Sequence, residues 1–351
     1  MRRCSTCVMP ESTPGIVFDH NGVCNYCATY QKFDYKGEQK LLKILNAHRN
    51  KNNRYDCIVN ISGGRDSAYT LLMLVKEYQM KVLAVNYENP FTDIQAKINI
   101  QNMVKALKID IVQFELKNRI HERCLRNNLL AWFRHPSAAM VPVVCIGCKI
   151  IWPDIIRIAR KYNIHCIVNG GNPFEYTSFK KELLSVPRDA SLKSTYRKNI
   201  RGLLREALKN ISYLNPILLP ATLKGYLFEN QYAIGSRLLA ANIDRIDFFH
   251  YIPWNEDEIL SRIRSELNWD SPSNLNSTWR FDCQISHLKD FMYMKTLGIT
   301  ERDDFYSKMI REGLITREHA LSRLKNENKL HLDIIEEILS RLGIEKLHLP
   351  T

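Results

Sequence analysis

Six of the ten cysteines stand in three Cys-x-x-Cys pairs: Cys4/Cys7, Cys24/Cys27 and Cys145/Cys148. The chain opens Met1-Arg2-Arg3-Cys4, with no apolar export segment expected before the first pair. Paired thiols in that setting point to metal rather than to a disulfide framework. The first two pairs read Cys4-x2-Cys7-x16-Cys24-x2-Cys27, the spacing of a closed four-thiolate Zn2+ site. Four sulfurs fill a tetrahedral shell, so such a metal stabilises a module too small to bury its own core and leaves no position open for catalysis. An iron centre or unmetallated thiols are the alternatives.

The third pair, Cys145-Ile146-Gly147-Cys148, is two ligands short of a shell, and Cys283 is the expected third ligand. Three thiolates with an open fourth position suit a [4Fe–4S] cluster that takes an exogenous ligand. A second zinc, a persulfide-carrying redox pair and cysteines that merely pack stand beside that reading. His250 and His287 are candidates to approach this site.

A different chemistry belongs to Ser62-Gly63-Gly64-Arg65-Asp66-Ser67, which follows the apolar run Asp56–Ile61 and precedes a helical pattern. Glycine admits backbone N–H groups close to phosphate, and the helix N-terminus adds its positive end. Ser62 and Ser67 supply hydroxyl donors. Asp66 is out of place beside an anion unless it caps the helix or holds Mg2+. The Gly-x-x-x-x-Gly-Lys-Ser/Thr pattern of the common nucleotide-triphosphate loop is absent.

The elements that must position these groups alternate. Strands are expected at Asp56–Ile61, Lys81–Tyr87, Ile109–Glu115 and His165–Asn169, with a further one within Ile246–Ile252. Helices are expected at Leu41–His48, Asp66–Tyr78, Ile94–Leu107, Ile150–Tyr162 and Ile200–Ile211. This order predicts an α/β fold, a Rossmann-like parallel sheet covered on both faces. Ligands in such sheets bind beyond the carboxyl ends of the strands, an edge that collects Ser62–Ser67, Tyr87 and Gly170-Gly171-Asn172. The expected division is a zinc ribbon over 1–35, its hairpin turning at Asn21-Gly22. A nucleotide domain follows over 36–255 with a helical insertion near 190–240, and then a helical region over 256–351. Thr300-Glu301-Arg302-Asp303 reads as a capping box.

Bulk properties narrow the class. The 351 residues are 45% hydrophobic and 25% charged, a globular composition. No apolar run reaches the roughly 18 residues of a spanning helix, so a soluble, cytoplasmic protein without membrane partners is expected. The net charge of +13 favours anionic partners such as nucleotides, nucleotide-sugars or RNA without choosing among them.

The loop matches Ser-Gly-Gly-x-Asp-Ser, the signature of the PP-loop ATP pyrophosphatase (adenine nucleotide α-hydrolase-like) superfamily. That resemblance implies ATP cleavage between the α- and β-phosphates. Further segments make it more specific: Cys4-Ser5-Thr6-Cys7-Val8-Met9-Pro10, Gly22-Val23-Cys24-Asn25-Tyr26-Cys27, Cys145–Cys148, Thr278-Trp279-Arg280-Phe281-Asp282-Cys283 and Tyr306–Gly313. With these the chain resembles the N-acetyl sugar amidotransferase family (WbpG/PseA-like) over nearly its whole length.

The resemblance implies conversion of the acetamido group of a UDP- or CMP-linked N-acetylated sugar to an acetamidino group, in lipopolysaccharide O-antigen or pseudaminic acid biosynthesis. It implies ATP and Mg2+ as cofactors and Asp66, Ser67, Arg280 and Asp282 as catalytic residues. Ser62, Gly63, Gly64, Arg65, Asp66, Ser67, Tyr87, Gly170, Gly171 and Asn172 are the expected nucleotide contacts. Arg2 stands where an N-terminal glutaminase nucleophile would be, so ammonia is expected from a separate glutaminase, with a cyclase-like channelling subunit as a further partner. A PP-loop tRNA thiolase with zinc and iron–sulfur centres is the competing reading.

Overall fold

The protein is described here from a computed structural model covering residues 1–187, 192–275 and 277–345. Five strands form one parallel sheet: β1 (Cys57–Asn60), β2 (Val82–Tyr87), β3 (Asp110–Phe114), β4 (Cys166–Asn169) and β5 (Asp244–Asp247). They lie in the order β3-β2-β1-β4-β5, with Val59 paired to Ala84 on one side and Val168 on the other. The chain runs outward from β1 to β3, then restarts at β4 on the opposite flank. The direction of winding therefore reverses between β1 and β4, where a crevice opens at the carboxyl ends.

Alternation along β1 explains the two faces. Cys57 and Val59 join the larger core beneath the helices Arg65–Leu72, Ile94–Leu107 and Glu256–Leu267. Ile58 points the other way, with Leu83 and Ile167, against the helix Trp152–Lys161. Each such fully buried aliphatic side chain is worth about 1.5–3 kcal/mol, so a one-residue slip of β1 would exchange both faces at once.

Most expected elements are present within a residue or two. The helix expected over Asp66–Tyr78 is regular from Arg65 to Leu72 and then widens over Met73–Glu77, where the Tyr78 N–H donates to the Met73 carbonyl. The last expected strand is only Asp244–Asp247; a tight helical turn, Phe248–His250, replaces its second half. One long helix, Ile120–Arg134, lies where no element was expected. Its charged residues hide the pattern, yet Cys124, Leu125, Leu129 and Trp132 are buried.

The cysteine-bearing N-terminus turns at Asn21-Gly22, where the Gly22 N–H donates to the Asp19 carbonyl. It does not stand apart. Cys4, Cys7, Met9 and Cys24 share a core with Leu125, Leu288 and Ile335. The last four helices, Ile285–Leu297, Glu301–Glu312, Arg317–Glu327 and Leu332–Arg341, wrap this module. The capping box forms: the Thr300 N–H donates to Asp303 Oδ2 at 2.9 Å, and the Arg302 N–H donates to Thr300 Oγ1 at 3.2 Å. Among the described residues, no single helix is long and apolar enough to cross a membrane.

Candidate phosphate loop and cysteine sites

The loop after β1 is built by close approach. Gly63 has φ +82, and a Cβ there would lie 2.2 Å from the Ala96 carbonyl oxygen. The Gly63 carbonyl in turn accepts hydrogen bonds from the indole of Trp269 at 2.9 Å and the amide of Asn99 at 3.2 Å. The Ser67 hydroxyl donates to the Gly64 carbonyl at 3.0 Å and lies 3.3 Å from Ser62 Oγ. Ser62 is exposed while Gly63 and Gly64 are buried, so the loop presents the Ser62 hydroxyl at an open rim.

Arg65 and Asp66 are tied to each other and to neighbouring side chains. Asp66 Oδ1 accepts from Arg65 Nε at 2.8 Å and from the Trp254 indole at 3.1 Å. Arg65 is buried, donates to Glu256 Oε1 at 2.6 Å and Thr278 Oγ1 at 3.1 Å, and lies over the Trp254 ring. Both side chains are committed to bracing the start of the helix.

β4 closes the other side of the crevice. A Cβ on Gly170 would lie 2.7 Å from the Asp66 carbonyl group, and one on Gly171 would meet Asp247 Oδ1 at 2.8 Å. Asn172 donates to Asp66 Oδ2 at 3.3 Å and accepts from the Phe174 N–H at 2.9 Å. The Gly-Gly-Asn run is therefore joined to the phosphate loop. Tyr87 is not: its hydroxyl lies 3.0 Å from His121 Nδ1. Both residues line a cavity of about 840 Å³ at the carboxyl ends of β2 and β3, which no residue of Ser62–Ser67 borders.

The segment 278–283 supplies the cover. A Cβ on Gly64 would come within 3.0 Å of the Asp282 carboxyl carbon. Burial raises the Asp282 carboxyl, opposed by a hydrogen bond from Ser62. A carboxylate held against an anion cradle is repelled by phosphate unless a cation lies between them, so the donor set here fits Mg2+. Arg280 has φ +52, a left-handed conformation rare outside glycine. It is held there by Glu175 Oε2 at 3.1 Å, the Glu175 carbonyl at 2.9 Å and Glu301 Oε2 at 2.8 Å. Burial opposes the charge on Glu301, yet Lys180, at 2.5 Å, and Arg280 hold that carboxylate well below its ordinary range.

The N-terminal cysteines converge. Cys4 and Cys27 sulfurs are 3.9 Å apart and those of Cys7 and Cys24 3.8 Å. Zn–S bonds of about 2.3 Å in a tetrahedron place sulfurs about 3.8 Å apart, so a single ion fits without rearrangement. Hydrogen bonds from Cys24 and Cys27 pull Cys7 far down, while bonds to Cys24 and Cys7 push Cys27 up. Four thiolates coexist there only around a cation. Donors surround them: Arg311 reaches Cys27 Sγ at 3.2 Å and Cys7 Sγ at 3.3 Å, and the Cys24 N–H reaches Cys4 Sγ at 3.2 Å. Among the described residues this is the one group of three or more such ligand atoms lying within 4.8 Å of one another.

Cys145 raises the Cys148 thiol, and both raise Cys283, but the three sulfurs do not converge in that way. Cys148 is exposed, yet desolvation pushes its thiol up to about 11. Cys283 accepts from Asn89 Nδ2 at 3.2 Å. Cys145 lies 3.2 Å from His121 Nε2, and burial lowers His121 to about 4, so the imidazole is neutral.

Sequence reasoning missed His121. The one available signal was Gly147: a Cβ there would fall 2.3 Å from the His121 ring. His287 instead faces His331, with ring centroids 4.9 Å apart, and His250 packs against Phe33.

Residues 276–349, which include Arg280, Asp282 and Cys283, match the family model described as LPS biosynthesis protein WbpG-like, C-terminal domain. The resemblance read from the motifs is found again in that region. The chain is also 27% identical over 114 residues to the uncharacterized protein MJ1599 of Methanocaldococcus jannaschii, a match covering 31% of this chain and 41% of that protein. The chain thus spans about two-fifths of the length of this curated relative.

Among solved structures, it is similar to the U34-tRNA thiolase NcsA from Methanococcus maripaludis with its [4Fe-4S] cluster. The two share 13% identity over 98% of this chain and 90% of that one, at a TM-score of 0.34. It is also similar to an NMN synthetase from Francisella tularensis, at 15% identity over 68% of this chain and 97% of that one, with a TM-score of 0.29.

Proposed function

We propose that this chain is an ATP-dependent amidotransferase that converts the acetamido group of an N-acetylated nucleotide-sugar to an acetamidino group. The observation that carries the reading is the seat of Asp282: the segment matched by the WbpG-like model lays this carboxylate on Gly64 of the phosphate loop. The loop and the covering segment therefore form one site.

In that reading the backbone N–H groups of Gly63 and Gly64 and the hydroxyls of Ser62 and Ser67 hold the β- and γ-phosphates. Asp282 would hold Mg2+, which when bound offsets negative charge on the phosphates. The amide oxygen of the sugar attacks the α-phosphorus, the bond to the bridging oxygen breaks, and pyrophosphate leaves. Ammonia then adds to the adenylated imidate carbon and AMP departs with the former amide oxygen, carrying off a poor leaving group as a good one. Arg280 is a positioning residue: its ion pairs with Glu175 and Glu301 fix the turn from which Asp282 projects. Ammonia from a separate glutaminase, directly or through a channelling subunit, completes the proposal. The four N-terminal thiolates would hold zinc as a structural ion.

A tRNA thiolase is the second reading, favoured by three cysteines along the same cleft and the charge of +13. One experiment separates the two. The protein is incubated with Mg·ATP, ammonium and UDP-N-acetylated sugars, and AMP and the sugar product are followed by mass spectrometry. AMP formation that depends on sugar and ammonium, with a product lighter by the difference between O and NH, is expected. AMP formation that requires tRNA and sulfide instead would overturn the amidotransferase.

A further inference from the structure

Nine of the seventeen large hydrophobic side chains exposed among the described residues lie within 204–239. All nine are leucine or isoleucine, and they fall on the helical insertion. Single apolar side chains scattered over a surface need no explanation, but a concentration in one segment marks a contact surface.

Three helices carry it: Leu192–Lys209, Leu219–Phe228 and Ile234–Leu239. Leu204 and Leu208, Leu223 and Leu227, and Ile234 and Leu238 are each four residues apart, so each pair shares one side of its helix. Other sides of these helices are packed. A Cβ on Gly202 would lie 2.8 Å from the Leu184 carbonyl oxygen, one on Gly225 would meet Ile150 Cγ2 at 2.9 Å, and one on Gly235 would lie 2.7 Å from the Leu227 carbonyl oxygen. The helices are also joined to one another. The Tyr196 hydroxyl donates to the Tyr226 carbonyl, and the Ser236 hydroxyl donates to the Phe228 carbonyl at 3.2 Å.

Cations are interleaved with the exposed aliphatics. All seven lysines and arginines of 194–240, from Arg197 to Arg237, are exposed. The two carboxylates of the segment are not: Glu206 is held by Lys209 at 2.7 Å, and Glu229 by Lys149. Every exposed charge there is therefore positive.

This chemistry selects among occupants. RNA would offer phosphates to the cations, but its bases stack on aromatic rings, and no aromatic ring of 194–240 is exposed. The centre of a protein interface is depleted of charge, whereas here Arg205 follows Leu204, Lys209 follows Leu208, Lys224 follows Leu223 and Arg237 precedes Leu238. At an anionic bilayer surface the two kinds of side chain act together. Aliphatic groups enter the acyl boundary while the stems of adjacent lysines and arginines reach the lipid phosphates.

We infer that the helical insertion docks on the surface of an anionic phospholipid bilayer through its exposed leucines, isoleucines and cations. The contact is peripheral. The expectation of no membrane partner rested on the length needed to span a bilayer, which a surface contact does not require. The inference goes beyond the amidotransferase reading and does not depend on it.

The test is flotation of the full chain with phosphatidylcholine vesicles prepared with and without phosphatidylglycerol. Wild type is expected to float with the phosphatidylglycerol vesicles, to stay behind with phosphatidylcholine alone, and to be released as salt rises. Leu204→Ser/Leu208→Ser is expected to weaken vesicle binding by about tenfold or more, and Leu223→Ser/Leu227→Ser repeats the test on a second helix. Lys198→Gln/Arg201→Gln is expected to weaken binding and flatten its salt dependence, and Lys198→Arg/Arg201→Lys to retain both. The melting temperature, and AMP formation without vesicles, stay at wild-type values in every variant.

The inference is overturned if wild type does not float with anionic vesicles, or if both leucine variants float as wild type does. A wild-type dimer that the leucine variants convert to monomer, with no vesicle binding by either, would make the surface an interface between copies and overturn it too. So would binding of tRNA, in place of vesicles, that the same variants lose. Vesicle binding with no conversion of any N-acetylated sugar would remove the amidotransferase alone.

Discussion

Two sets of cysteines, similar as written, are built on opposite principles. Around Cys4, Cys7, Cys24 and Cys27 every sulfur is close to the others, three are fully buried, and guanidinium and backbone N–H groups point inward. The helix that supplies Arg311 also carries Ser307, which accepts from the Val8 N–H at 3.2 Å, and Arg317 on the next helix reaches the Cys4 and Cys7 carbonyls. Along Cys145, Cys148 and Cys283 the sulfurs are spread out, one is exposed, and the partners are a neutral histidine, an asparagine and a lysine. The first arrangement is closed and stabilises; the second lies open to whatever occupies the cleft beside the phosphate loop. Spacing alone does not distinguish them, because Cys-x-x-Cys sets only local geometry. The number of ligands that arrive from elsewhere in the chain decides.

That contrast breaks most visibly at Cys24. Cys24→Ser is expected to lose most bound metal and to lower the melting temperature on the order of 10 °C or more, since ligand loss is folding energy lost. Metal analysis and calorimetry check it; a variant that melts like wild type would show that the four-cysteine site is not structural.

Gly63→Ala attacks the open side instead. Its Cβ would fall on the Ala96 carbonyl oxygen in a positive-φ turn, so pyrophosphate release should fall on the order of 100-fold or more. Metal content at the N-terminal site should not change. Normal turnover would mean that the loop does not hold the phosphates.

Cys148→Ser is the matched control for Cys24→Ser. Its thiol is exposed, so the melting temperature should move by no more than about 2 °C, while amidine formation falls about tenfold if the cleft is the reaction site. A large stability loss would erase the difference between the two cysteine sets.

The smallest effect is in lysine chemistry. Burial lowers Lys180 to about 8, against the ordinary 10.5 and despite the opposing pull of Glu301. The neutral amine is the form that acylates, so Lys180 should label with a midpoint near 8, ahead of the surface lysines as pH rises. Competitive acetylation followed by peptide mass spectrometry reads the profile. A midpoint shared with the surface lysines would mean that the Lys180 amine is fully hydrated.

The local features were legible because short-range physics determines them. A glycine pair between an apolar strand and a helix has few uses, and Ser62–Ser67 is seated where that pattern requires. The helix Ile94–Leu107 ends where its periodicity ends, and Thr300–Asp303 caps as written. Failures came where long-range contacts overrode local pattern. The helix Ile120–Arg134 carries charged residues amid its buried face, so its periodicity was obscured, and His121 went with it. Tyr87 ends its strand at the expected edge, and a histidine from that missed helix lies against its hydroxyl.

The sequence by itself determined the parallel α/β sheet, the phosphate loop and the two cysteine pairs of the N-terminal site, since each is encoded in neighbouring residues. Tertiary structure alone decided that Trp254, Glu256 and Thr278 hold Arg65 and Asp66, and that Asp282 covers Gly64 from over 200 residues away. Those placements depend on which helices pack against the sheet edge, and packing is a property of the whole core rather than of any segment.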